Sequence, residues 1–163
     1  MNCELSTMAK RVDESRIFEL SMRGTCPDLK EVKLYTDRKA LEAEQIVSFD
    51  NEFEGFSSVS YFLSSLLSSV ILTTIRELKA DGIELDEIEG LVHAQLTNPL
   101  RLIPVRGYQE PSDLTAITIK LFYYADGEPE VINQKIRQAQ AYNPIYRLVD
   151  QASPIHLDVE WVL

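Results

Sequence analysis

The segment from Ser57 to Ala80, SSVSYFLSSLLSSVILTTIRELKA, carries no charge before Arg76, and its apolar residues fall on more than one helical face. Val59, Phe62, Leu63, Leu66, Leu67, Val70, Ile71 and Ile75 leave no broad polar stripe. A helix of this kind has to be covered on almost every side. Ser57 and Ser58 can cap its first turn, where free backbone N–H groups need an acceptor, and Gly82 offers a left-handed stop. One small chain has too little material to enclose such a helix, so the pattern predicts a homodimer.

Residues 59–75 are uncharged, a length near the lower limit for spanning a bilayer. Seven hydroxyls interrupt the run, Ser60, Ser64, Ser65, Ser68, Ser69, Thr73 and Thr74. A helix buried in protein suits them better than one facing lipid, and no membrane association is expected. The net charge of −10 argues against nucleic acid, because phosphate contacts need clustered Lys and Arg. With 45% hydrophobic and 26% charged residues the chain has the make-up of a globular protein. No signal-peptide pattern stands in MNCELSTMAKRVDESRIF, so a cytoplasmic location is expected, with Cys3 and Cys26 as free thiols.

The remaining elements follow from periodicity. Phe18, Leu20 and Met22 alternate with polar neighbours and predict a first strand, followed by a turn through Gly24-Thr25-Cys26-Pro27-Asp28. Val32 and Leu34 mark a second strand and residues 45–49 a third, while residues 39–44 can also begin a short helix. Residues 88–96 alternate cleanly, residues 98–113 hold three prolines and a glycine and read as a long loop, and residues 115–124 form a strong strand. Pro129 suits the first turn of a second helix. Asn143-Pro144 breaks that helix, a further helical turn spans 145–149, and Ile155 to Trp161 gives a last half-buried strand.

This order, a long apolar helix and a second helix ending at Asn143-Pro144 with strands around them, resembles the OsmC/Ohr family from about residue 16 onward. The resemblance implies a single α+β domain over 1–163, with antiparallel sheet wrapped around two central helices and two chains intertwined. The family consists of cysteine peroxidases with one cysteine on each of these helices. Here Val70 and Asn143 stand at those positions, and Arg23 matches the family arginine that helps activate the thiol. Peroxide reduction needs a thiolate nucleophile and a second thiol to rescue the sulfenic acid. Valine and asparagine supply neither.

A non-catalytic scaffold that binds a small apolar ligand or a protein partner is therefore the leading expectation. Tyr61, Val70, Ile71, Asn143, Ile145, Tyr146 and Arg23 would line its pocket. The alternative is an enzyme, either a thiol peroxidase using Cys26 or another activity in the same cleft. No cofactor is implied. His93 and His156 sit on the polar sides of two strands without metal-ligand spacing, so no metal site is expected. The serines of the long helix form no nucleophile elbow, and the acidic run 84–89 lacks a calcium-loop pattern.

Overall fold

The computed structural model describes residues 23–25, 32–35, 39–50, 52, 54–103 and 106–162. The contacts gather into two compact units, Met1–Glu44 and Gln45–Leu163.

The first unit holds an antiparallel sheet of β1 (Arg23–Thr25), β2 (Val32–Tyr35) and β3 (Ala40–Ala43), in that order. The strand expected at 17–22 lies outside the described residues, as do Cys3 and Cys26. Gly24 and Thr25, read as turn, are strand residues that pair with Leu34 and Lys33. β3 begins five residues after β2 ends. It takes the stretch with helix-forming Ala, Leu and Glu, because pairing Val32 with Ala43 and Tyr35 with Ala40 closes a ladder on β2. Tertiary pairing overrides helix propensity here. Residues 45–49, read as a strand, are irregular.

The second unit starts with α1 (Ser58–Ala80). Ser57 caps it, its hydroxyl accepting from the Ser60 N–H at 3.1 Å. After the left-handed turn at Gly82 the chain runs back as β4 (Glu87–Leu96), pairs antiparallel with β5 (Leu114–Tyr124), and crosses over through α2 (Pro129–Ala139) and α3 (Pro144–Ala152) to β6 (His156–Trp161). β6 joins β5 in parallel, so the sheet is mixed rather than wholly antiparallel. Alternation along a strand carries no direction, whereas a helical crossover permits parallel pairing.

β5 is the central strand, and its alternation buries Ile117, Ile119, Leu121 and Tyr123. Leu66, Val70 and Leu78 of α1 and Ile132 and Ile136 of α2 complete the core. Gly90 on β4 marks where helix and sheet approach closely: a Cβ there would lie 2.8 Å from Leu67 Cδ1 and 3.3 Å from Ile71 Cδ1. Glycine in a strand interior has this use. Between the pairs His93–Thr118 and Gln95–Thr115 the register slips by one residue, at a bulge where Ala116 takes a φ of +49°.

α1 is long and apolar enough to cross a bilayer by length and composition alone. One face packs into the core through Leu66, Val70, Thr73, Thr74 and Leu78. The expected all-round burial is absent within one chain, since Leu72 is 65% exposed and Phe62 and Ile75 are also exposed.

Candidate functional site

Asn143, one of the two residues expected at a family-cysteine position, is the centre of a hydrogen-bonded cluster. It follows a short 3-10 turn, Gln140–Tyr142, and its extended backbone (φ −93°, ψ 109°) makes it the N-cap of α3, with Pro144 in the first helical position. Its Oδ1 accepts from the N–H groups of Ile145 and Tyr146, both at 3.0 Å. An Asn-Pro step is well matched to this task, because asparagine caps strongly and proline has no N–H to leave unpaired.

The other end of the amide faces α1. Asn143 Nδ2 donates to Ser69 Oγ and to Gln140 Oε1, each at 3.1 Å. Gln140 Nε2 in turn donates to Thr74 Oγ1 at 3.0 Å and approaches the Val70 carbonyl oxygen at 3.5 Å. Ser69 Oγ donates to the Leu66 carbonyl at 2.7 Å. Asn143 thus uses both amide hydrogens and accepts two bonds at its oxygen. Val70 and Asn143 are each 0% exposed. Val70 and Asn143 lie at a largely buried, satisfied hydrogen-bonded clasp that ties α1, the 3-10 turn and α3 together.

The clasp determines what chemistry is available. Ser, Thr, Asn and Gln bring no group that titrates near neutral pH. Among the described residues Ser69 supplies the hydroxyl hydrogen-bonded to Asn143, yet its proton already goes to a backbone carbonyl and no base adjoins it within the clasp. An unactivated hydroxyl is a poor nucleophile. Tyr146, half-buried beside the cap, has its phenol pushed up by burial and then by Asp150.

The other expected site residues are only partly brought together. Ile145 and Tyr146 sit on the first turn of α3, held through their backbone by Asn143. Ile71 turns toward Gly90 and the sheet. Nine residues of helix rotate Tyr61 by about half a turn from Val70, and its ring stacks on Phe56 at 5.3 Å between centroids. Arg23 belongs to β1 in the first unit, and Cys26 lies outside the described residues. His93 and His156 are exposed, His156 standing 3.6 Å from Asp158. Among the described residues no three His, Cys, Asp or Glu side chains converge as a metal site.

Gln140, Ser69 and Thr74 were missed by sequence reasoning. Gln140 and Asn143 are three apart, and Ser69 and Thr74 flank Val70 on the neighbouring helix. The hydroxyls of α1 were expected inside a buried helix, but nothing in the sequence pairs them with Gln140 or Asn143. The Asn-Pro step was the signal open to view, since it announces an N-cap as well as a helix break.

Comparison with known proteins agrees with this layout. The OsmC-like protein family matches residues 49–158, well over half of the chain. No curated protein sequence matches it. An OsmC-like protein of Mycoplasma pneumoniae superposes with a TM-score of 0.72 at 14% identity, covering 90% of this chain and 99% of that one. An organic hydroperoxide resistance protein of Elizabethkingia anophelis superposes with a TM-score of 0.68 at 10% identity, covering 90% and 98%. The organic hydroperoxide resistance protein OhrB of Bacillus subtilis gives 0.57 at 13% identity, covering 89% and 98%. At these identities the structures speak for the fold, and with the match over 49–158 they lead to one conclusion: the chain belongs to the OsmC-like protein family.

Proposed function

We propose that this protein is an OsmC-like scaffold without thiol peroxide chemistry, acting by association, as a homodimer that engages a protein partner. The observation that carries the reading is the closed clasp at Val70 and Asn143. Both positions are fully buried, neither bears sulfur, and the polar atoms around them are satisfied by one another. A junction in this state favours association at the surface over uptake of a small apolar ligand between the two helices.

The exposed face of α1 supports self-association. Phe62, Leu72 and Ile75 lie open on it, and Leu148 on α3 is 71% exposed. Covering such a face is the ordinary use of a dimer interface, and obligate interfaces bury more than about 2,000 Å². The cytoplasm is the proposed setting, where Cys3 and Cys26 would stay reduced.

The test is peroxide consumption by purified protein with a dithiol reductant, alongside sedimentation at micromolar concentration. The expected result is a dimer that consumes organic hydroperoxide no faster than buffer. Turnover abolished by Cys26→Ser would overturn the reading and assign the chemistry to that thiol.

A further inference from the structure

His93 and His156 are the only histidines of the chain, and nothing in their sequence spacing joins them. The sheet does. His93 pairs with Thr118 across β4 and β5, and Thr118 pairs with His156 across β5 and β6. The three residues form one row on the face turned away from the core, because the core takes their neighbours Val92, Ile119 and Leu157. Strand spacing sets the two histidine Cα atoms about 9.6 Å apart. Asp158 follows on the same face of β6, two residues beyond His156, and all three ionisable side chains are exposed.

Two of these groups already stand at the spacing that a metal ion imposes. His156 Nε2 lies 3.6 Å from Asp158 Oδ1, too long for a good hydrogen bond. Nitrogen and oxygen ligands of one tetrahedral zinc ion lie about 3.4 Å apart, given bonds of about 2.0–2.2 Å. Thr118, with its short side chain, leaves room between the imidazoles, and the exposed His93 ring can turn toward β6 without any movement of the backbone. Lys120 stands next to the row on β5, and its charge is drawn the other way. Its ammonium pairs with Glu160 at 2.6 Å and sits 4.8 Å from the centre of the Phe122 ring.

We infer that His93, His156 and Asp158 form a surface site for a late first-row divalent cation of the zinc class, with His93 swinging in over Thr118 to complete it. Imidazole and carboxylate donors suit such ions. Two histidines and one carboxylate leave at least one coordination position open to solvent, as open zinc sites do. The site is built within one chain, so it does not depend on how copies associate or on the clasp at Asn143. The ion would also tie β4 to β6 across β5, joining the two outer strands of the sheet. The sequence shows no ligand spacing because the row exists only through the register of three strands.

Zinc titration by calorimetry tests it, on the full chain without a histidine tag and in a Cys3→Ser/Cys26→Ser background that removes thiol ligands. Saturable binding of one ion per chain is expected. His93→Ala and His156→Ala should each weaken it at least about tenfold, and Asp158→Asn should weaken it less. His93→Gln, which keeps a polar side chain on the strand, should lose as much as His93→Ala. Circular dichroism of the metal-free variants should match the parent, since all three residues are exposed. Zinc should raise the urea midpoint of the parent protein, because an ion that binds only the folded chain stabilises it, and should leave that of His93→Ala almost unchanged. Absence of saturable binding, or an affinity that survives His93→Ala, would overturn the site. So would an equal rise in midpoint for the parent and His93→Ala.

Discussion

Asn143 and Ser69, 74 residues apart in sequence, share a 3.1 Å hydrogen bond that fastens the start of α3 to the middle of α1. The same asparagine caps α3 with its other atom, so one side chain sets both where a helix begins and what it leans on.

Replacing it should be expensive. Asn143→Ala removes an N-cap, about 0.5–2 kcal/mol, and strands buried groups on Gln140 and Ser69 at about 1–3 kcal/mol for a buried unpaired group. A total loss of about 2–4 kcal/mol is expected in urea denaturation. Asn143→Ser keeps a capping oxygen and should recover about 1 kcal/mol of that. Equal losses for the two variants would mean that the cap contributes little.

A thiol placed at position 70 should not be reactive. Val70 is fully buried, and burial in apolar surroundings raises a thiol's pKa above its ordinary value. In a Cys3→Ser/Cys26→Ser background, Val70→Cys should react with a disulfide reagent at least about a hundredfold more slowly in the native protein than in urea. Comparable rates in both conditions would show that the clasp opens readily.

Gly90 permits a close approach of α1 to the sheet. Gly90→Ala would press a methyl into Leu67, and overpacking of this kind costs about 1–3 kcal/mol. In a double-mutant cycle with Leu67→Ala the two effects should be less than additive, because the shorter side chain vacates the space. Strict additivity would place the damage elsewhere.

Stability should fall above pH 10. Tyr123 is raised from its ordinary value of 10.0, first by burial and then by Glu130, and Tyr146 by burial and then by Asp150. Lys120 is raised from 10.5, chiefly by its hydrogen bond to Glu160. Each of these groups holds its proton more tightly when folded. Their contribution is complete below the unfolded values and is lost as pH rises through the folded ones. Urea midpoints at pH 9 and pH 11 should show the drop, and Tyr123→Phe should reduce it. A flat profile would contradict the shifts.

The elements legible in the sequence are those whose periodicity is long. Ser57 to Ala80 gave itself away as α1 by its uncharged run, and β4, β5 and β6 by strict alternation. β3 was misplaced because Lys39-Ala40-Leu41-Glu42-Ala43 favours a helix locally, and only its ladder to β2 makes it a strand. The parallel setting of β6 left no mark on its residues. At the site, Val70 and Asn143 could be singled out from the sequence, whereas the clasp could not. Ser69 and Thr74 read as packing residues of a buried helix, and only bringing α1 and the 3-10 turn face to face pairs them with Asn143 and Gln140.

The parallel β5–β6 pairing also sets an order of events. β4 and β5 can close as a hairpin from chain that is nearby in sequence, but β6 reaches β5 only after residues 125–155 have made their crossover, and non-local pairing of this sort is slow. Trp161, the sole tryptophan, lies at the end of β6, its indole N–H donating to the Ala125 carbonyl at 3.3 Å. Its fluorescence is thus a clock for the last stage of refolding: it should report the closing of the sheet and stay silent while the hairpin forms.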